Sequence, residues 1–392
     1  MINSSLMRAL IILPVLTYMS ACSYLPFMGE DEEKVEITLR EPAELSAIDA
    51  QIILAEVWNS SLSTEDNTST RLFTHALQDK LVFASVNGNV RAVSSQDGRT
   101  IWTVDLQDIL SGGVGGNNNI AVVGSRNGVV TALQPSDGSI LWSLALGLEI
   151  SAVAHTQDDT IVVRTNNNQI VTLAADTAAK RWTASQQSPA LTLRGGSVPI
   201  TLDGVVYAGM DNGKLVAISL ATGTTLWESR VSVPSGRSEL ERLVDVDGQI
   251  VVTDTLVYAA SYHGRVVAID RTNGRTVWAR DISSIQGLTL DQDLVYVTDR
   301  DDHIWALERE SGITIWRQDK FEYRAVSAPM QLADYILIGD FEGYVHALSK
   351  QDGTIIGRKK VTSGTVHSAG TATSSQVHVI QQGGQLAAIA VQ

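Results

Sequence analysis

The sequence predicts an all-β fold, an eight-bladed β-propeller of four-stranded antiparallel blades in which an N-terminal strand closes the ring. Three observations carry this prediction. A segment ending in tryptophan recurs at intervals of 38 to 51 residues, and a turn followed by an alternating strand precedes each copy. The first tryptophan, Trp58, comes before the first complete set of blade strands. Units of about 40 residues that hold four short strands are typical of propeller blades. We therefore expect the 392-residue chain to form one large ring.

The repeated segment has a glycine turn four residues before its tryptophan, as in "AVSSQDGRTIW" from Ala92 and "ALQPSDGSILW" from Ala132. Glycine supplies the backbone freedom of a tight turn. The tryptophan offers a large apolar face and an N–H donor. We therefore expect the tryptophans to dock each blade on its neighbour. They are Trp58, Trp102, Trp142, Trp182, Trp227, Trp278 and Trp316, with Gly357 at the eighth position.

The element before each copy is a short hairpin, such as "NGKLVAI" or "HGRVVAI". Turn residues followed by alternating polar and apolar residues predict β-hairpins, and no long segment has the helical period. The last such element, "GGQLAAI" from Gly383 to Ile389, is the third strand of its blade. The strand around Trp58 precedes any complete blade. We expect it to complete the eighth blade, which removes two open sheet edges.

The N-terminus resembles a bacterial lipoprotein signal. Arg8 precedes the apolar run "ALIILPVLTYMSA", which is too short to cross about 30 Å of hydrocarbon. The next residue is the sole cysteine, Cys22, and the four residues Met19 to Cys22 are similar to a lipobox. We therefore predict a signal peptide at 1–21 and lipidation of Cys22. Because Ser23 and not an aspartate follows, the resemblance implies sorting to the outer membrane.

Charge separates a tether from the propeller. Between positions 30 and 66, eleven acidic residues stand against two basic ones, in a chain of net charge −14. An acidic segment with few aromatic residues stays solvated, so we predict a flexible tether at 22–50 and the propeller at 51–392. A net-negative chain without a basic stripe argues against a nucleic-acid partner and against electrostatic adhesion to lipid. Membrane contact is expected through the N-terminal lipid alone, on the periplasmic side.

The tryptophan segment resembles the docking motif of quinoprotein alcohol dehydrogenases over most of the chain. A lipid-anchored, PQQ-dependent dehydrogenase is therefore one alternative function, and a propeller that binds peptidoglycan or other envelope proteins is another. The adjacent-cysteine disulfide common in those dehydrogenases is impossible with Cys22 alone, and no two of the seven histidines have metal-ligand spacing within one segment. We predict no catalytic residue, no metal and no cofactor.

Two further segments are similar to those of the BamB family, the scaffold lipoproteins of the β-barrel assembly machinery. They are "LTLRGGSVP" and "ERLVDVDG". The resemblance covers the whole chain and implies a non-enzymatic scaffold that docks to the POTRA domains of a BamA-type barrel assembly protein and aids the folding and insertion of outer-membrane proteins. Unfolded clients would bind at exposed blade edges. By motif, the docking residues are Leu191, Leu193, Arg194, Asp245 and Asp247.

Alignment of "VVYAGMDNG" with "LVYAASYHG" places Arg194 on Asp245, so the two segments occupy the same connection in consecutive blades. We expect them to lie side by side in exposed loops, where binding is usually located. Two structural alternatives stay open: Arg194 can pair with either aspartate, and the two leucines can cap the core. The segment "YRAVSAPM" aligns Arg324 with Arg194. Charge reversal at Arg324 is therefore expected to leave the fold intact and to serve as a control.

Overall fold

The computed structural model describes residues 40–62, 72–193, 195–372, 375–381 and 384–392. Cys22, Arg194 and the predicted signal peptide lie outside the described residues. Within them the chain forms strands and turns, without an α-helix. Accordingly, this part of the chain holds no helix long and apolar enough to cross a membrane. Residues Glu41–Gln392 form one unit, which begins before the predicted boundary at residue 51.

The strand β1 (Leu54–Ser61) precedes the blades, and four-stranded antiparallel sheets then follow one another along the chain. The first blade consists of β2 (His75–Leu77), β3 (Lys80–Ala84), β4 (Asn89–Ser94) and β5 (Thr100–Asp105). The second consists of β6 (Leu110–Asn117), β7 (Ile120–Ser125), β8 (Val129–Leu133) and β9 (Ile140–Ala145). The third consists of β10 (Ile150–Val153), β11 (Thr160–Thr165), β12 (Gln169–Ala174) and β13 (Lys180–Ser185). The fourth consists of β14 (Ile200–Leu202), β15 (Val205–Gly209), β16 (Lys214–Ser219) and β17 (Thr225–Arg230).

The remaining four blades repeat this order. The fifth consists of β18 (Val251–Val252), β19 (Leu256–Ala260), β20 (Val266–Asp270) and β21 (Thr276–Arg280). The sixth consists of β22 (Leu288–Leu290), β23 (Leu294–Thr298), β24 (Ile304–Glu308) and β25 (Thr314–Gln318). The seventh consists of β26 (Met330–Leu332), β27 (Tyr335–Gly339), β28 (Tyr344–Ser349) and β29 (Ile355–Lys360). The eighth consists of β30 (Val366–Ala372), β31 (Val377–Gln381), β32 (Gln385–Val391) and β1.

The first strands of most neighbouring blades contact one another, so they line the axis of the ring and the fourth strands form its rim. Second strands such as β3 and β19 are almost wholly buried, whereas rim strands such as β9 and β17 keep several exposed residues. The hydrophobic core is divided among the gaps between adjacent sheets. Val82 of the first blade and Val123 of the second belong to one such cluster.

The N-terminal strand closes the ring, as predicted. β1 is antiparallel to β32, from Leu54 opposite Val391 to Ser61 opposite Gln385. The eighth blade is therefore built from both ends of the propeller. The predicted eight-bladed β-propeller fold is confirmed.

Each of the seven tryptophans of the repeat lies against the turn of the following blade. Its Nε1 donates to a backbone carbonyl there, at 2.8 to 3.2 Å. At one such contact, a Cβ on Gly312 would lie 2.6 Å from Cε3 of Trp278, and the φ angle of Gly312 is +68°. Both features favour glycine. In the third blade Ala178 takes the glycine position, with a φ of +58°.

The junction of the seventh and eighth blades has no tryptophan. Gly357 stands at that position, and a Cβ there would lie 2.9 Å from Cγ1 of Ile52. The backbone N–H groups of Gln51 and Ile52 donate to the carbonyl of Ile356. Nearer the N-terminus in the same segment, Ala43 N–H donates to the carbonyl of Glu322 at 2.9 Å. The chain before β1 therefore packs along the seventh blade, and an isoleucine occupies the place of the missing ring.

Candidate docking site

The two predicted docking segments lie in the connections 186–199 and 231–250. Each connection runs from the fourth strand of one blade to the first strand of the next, so both lie on the same face of the ring. Leu191 and Leu193 are 41% and 38% exposed, and they therefore do not cap the core. Exposed apolar side chains on a connecting loop are the kind of feature that marks a protein interface when they cluster.

The structure brings the two connections together. The backbone N–H of Leu193 donates to Oδ2 of Asp245 at 2.5 Å. A Cβ on Gly195 would lie 2.2 Å from Cγ of Asp247, so the loop passes directly over that carboxylate. Residues 52 positions apart in the sequence therefore form one site.

The expectation that the aspartates lie in an exposed loop is wrong. Asp245 is 0% exposed and Asp247 is 8% exposed. The longer connection folds inward because its backbone bonds to two hairpin turns: Val246 N–H donates to the carbonyl of Met210, and the carbonyl of Asp245 accepts from Tyr262 N–H. The connection 186–199, which carries Leu191 and Leu193 and is called the leucine loop below, then covers the two side chains. Neither carboxylate is free to form an exposed bridge.

A third carboxylate, Asp211, completes a buried acidic cluster. One oxygen from each of Asp211, Asp245 and Asp247 lies within 4.8 Å of the others. Burial and the neighbouring carboxylate of Asp247 raise the pKa of Asp245 to about 7. Three oxygen ligands would suit a hard cation. However, the guanidinium of Arg164 forms an ion pair with Asp211, so the cluster already contains a positive charge.

Sequence reasoning missed Arg164 and Asp211. Asp211 stands in an Asp-Asn-Gly turn, where aspartate is ordinary, so nothing local marks it. Arg164 carries a signal, because it interrupts the apolar strand β11, all of whose residues are buried. Arginine is almost never fully buried unless it is paired. A charged residue in such a strand therefore indicates a buried partner.

Arg324 is not the exposed counterpart that its alignment with Arg194 suggested. It is buried, and its guanidinium donates to Asp340 at 2.7 Å and to the carbonyl of Ala43 at 2.8 Å. A third partner is the carboxylate of Glu342. The expectation that its charge can be reversed without affecting the fold is wrong, because reversal would leave like charges buried together.

The rim carries a separate set of exposed aliphatic residues. Each immediately precedes the tryptophan of its rim strand and alternates with it, so the tryptophan points inward and the aliphatic side chain points to solvent. They are Val57, Ile101, Leu141, Leu226, Val277 and Ile315.

Comparison with known proteins places this arrangement in a family. Residues 86–318 match the family model described as "Outer membrane protein assembly factor BamB". The chain is 37% identical over 351 residues to the outer membrane protein assembly factor BamB of Pseudomonas aeruginosa, covering 89% of this chain and 92% of that protein. The crystal structure of BamB from Moraxella catarrhalis is similar at a TM-score of 0.79 and 30% identity, covering 86% of this chain and 99% of that one.

Several similar structures are enzymes, and their identity to this chain is low. Quinohemoprotein alcohol dehydrogenase from Comamonas testosteroni has a TM-score of 0.67 at 14% identity, over 86% of this chain and 76% of that one, which shows the fold alone. Three relatives of 30% to 37% identity that each cover 89% or more of the chain are named as assembly factors and not as enzymes. The family thus supports the prediction of a non-enzymatic protein. With its family-model match across more than half of the sequence, the chain belongs to the BamB family of outer membrane protein assembly factors.

Proposed function

We propose that this chain is a non-enzymatic scaffold for outer-membrane protein assembly, which docks through Leu191 and Leu193 to the POTRA domains of a BamA-type barrel assembly protein. One observation carries the docking surface: both leucines are exposed on a loop whose backbone bonds to the buried carboxylate of Asp245. A loop held in this way presents apolar side chains with little further ordering on binding. The names of the relatives support the role in assembly.

The other motif residues enter the proposal differently. Arg194 belongs to it by motif alone, as the residue that follows Leu193 in the sequence. Asp245 and Asp247 are buried, so we assign them to support of the loop and not to contact with the partner. The proposed clients are unfolded outer-membrane strands, which the rim strands can accept by β-augmentation beside their exposed aliphatic residues.

Replacing both exposed leucines is expected to weaken docking without unfolding the protein. For Leu191→Ala/Leu193→Ala we expect at least a tenfold loss of affinity for purified POTRA domains, or about 1.4 kcal/mol, because a few apolar anchors dominate most interfaces. The free energy of unfolding should change by less than about 1 kcal/mol, since both side chains are partly exposed. Titration calorimetry and melting curves measure the two quantities.

A matched control removes the same chemistry from the rim. Leu226→Ala/Val277→Ala truncates two aliphatic side chains that are similarly exposed, on the fourth and fifth blades. This variant should keep the affinity of the original protein. An equal loss for the rim variant, or none for the loop variant, would contradict docking through the leucine loop.

We further propose that the chain is held on the outer membrane by acylation of Cys22 and faces the periplasm. The lipobox-like residues before Cys22 and the shortness of the apolar run support this anchor. Cys22→Ala, made in the Leu191→Ala/Leu193→Ala background so that docking does not retain the protein, should move it from the membrane to the soluble fraction. Detergent-free fractionation measures this. Continued sedimentation with membranes would rule out the lipid anchor.

A further inference from the structure

A buried polar network beneath the leucine loop joins three consecutive blades. Arg164 lies on β11 of the third blade, Asp211 follows β15 of the fourth, and Asp245 lies in the connection into the fifth. All three side chains are nearly inaccessible to solvent, with Arg164 only 1% exposed. The guanidinium Nη2 of Arg164 bonds to the carboxylate of Asp211. Groups so deeply buried are destabilising unless they are paired, so their arrangement is tightly determined.

The network holds the start of the leucine loop through Asn168. Its Oδ1 accepts from Nη2 of Arg164 and from the N–H of Asp211, each at 3.2 Å. Its Nδ2 donates to the carbonyl of Gln187 at 3.4 Å, and Asn212 donates to the same carbonyl at 3.0 Å. Gln187 is the second residue of the connection that carries the leucines. The entry of the loop is therefore bonded to both hairpin turns beside it.

The network also holds the middle of the loop, where Asp245 accepts the N–H of Leu193. Asp211 and Asp247 place two further carboxylates close to Asp245. Carboxylates this close repel one another in a buried site unless a cation offsets their charge or one of them is protonated. Arg164 supplies a cation at Asp211. Its removal should displace the carboxylates and loosen the bond to Leu193.

We propose that Arg164 and Asp211 are positioning residues for docking: from two blades they fix the buried carboxylates that hold the loop bearing Leu191 and Leu193. Neither residue is exposed to a partner, so they act through the loop. The effect on docking rests on the proposed docking role of the two leucines, but the hold on the loop is a property of the isolated protein. The hold on the loop and its effect on docking can therefore be tested separately.

Hydrogen exchange in the isolated protein tests the hold on the loop. Arg164→Met keeps much of the side-chain length without the charge. For this variant we expect the hydrogen-exchange protection factor of the Leu193 amide to fall at least tenfold. The matched control is Arg324→Met, which breaks a buried arginine–aspartate pair in the seventh blade. It should destabilise the ring and leave the protection of Leu193 as it was. Unchanged protection in Arg164→Met, or an equal loss in the control, would overturn the proposal.

If Arg164→Met does not fold, Asp211→Asn takes its place. It retains the shape of the side chain and removes the charge that pairs with Arg164, and we expect the same loss of protection at Leu193. Arg164→Lys, which keeps the positive charge, should retain more of the protection than Arg164→Met. A lysine variant that behaves like the methionine variant would show that the charge does not hold the loop.

Binding to purified POTRA domains tests the consequence. Arg164→Met should weaken binding about tenfold in the original protein, and by less than twofold when Leu191 and Leu193 are already alanine. An equal loss in both backgrounds would place the action of Arg164 outside the loop and overturn its positioning role. If the two alanines alone leave binding intact, the docking proposal fails, while the exchange experiment still decides whether the network holds the loop.

Discussion

Deletion of residues 1–58 is expected to destabilise the whole propeller, whereas deletion of residues 1–40 should leave its melting temperature unchanged. The longer deletion removes the part of β1 that holds Leu54 and Trp58, both buried. Loss of a buried leucine costs about 2–5 kcal/mol and loss of a buried tryptophan about 3–5 kcal/mol, so we expect at least about 5 kcal/mol. The longer deletion also exposes the edge of β32, which can then pair with strands of other molecules. Thermal melts and light scattering of both variants measure these effects.

The shorter deletion is the control because residues Glu41–Gln392 form one unit. A cut nearer β1, at about Ile48, would be a poor control. It removes Ala43, which bonds to Glu322 and to buried Arg324, and Ser46, which accepts from Arg358. Equal melting temperatures for the two deletions would refute closure of the ring by the N-terminal strand.

Truncation of one repeat tryptophan should also weaken the fold strongly. Trp278 is 7% exposed, its Nε1 donates to the carbonyl of Arg309 at 2.9 Å, and its ring covers Gly312. Trp278→Ala removes this packing and one of the two donors to the Arg309 carbonyl, which also accepts from the Tyr258 hydroxyl, so we expect a loss of about 3–5 kcal/mol. Denaturant unfolding, monitored by circular dichroism, measures the change.

The adjacent residue on the same strand supplies the control. Val277 precedes Trp278 on β21 and points to solvent. Val277→Ala should change the free energy of unfolding by no more than about 0.5 kcal/mol. A loss of less than about 1 kcal/mol for Trp278→Ala would argue against docking of one blade on the next by this ring, since removal of a buried ring should have a larger effect.

The sequence by itself determined the architecture, because blades repeat and the signals of each blade are local. The interval between tryptophans, the glycine turns and the alternating strands are all read within a few residues. The closing strand was also predictable, since a tryptophan strand without a blade and a blade without a fourth strand can only complete each other. The adjacency of the two proposed docking connections was predictable as well, because they occupy the same position in consecutive blades.

Only the tertiary structure decided which side chains of the proposed docking site are exposed and which are buried. From the sequence Asp245 is expected to be an exposed loop residue, but hairpin turns of two blades draw its backbone inward and the leucine loop covers it. Arg164 and Ile52 likewise acquire their roles from partners on other blades: Arg164 pairs with Asp211, and Ile52 fills the place of a tryptophan. Burial and charge pairing at blade junctions depend on contacts between residues far apart in sequence. Local propensity and spacing do not specify them, and the packing of one blade against the next does.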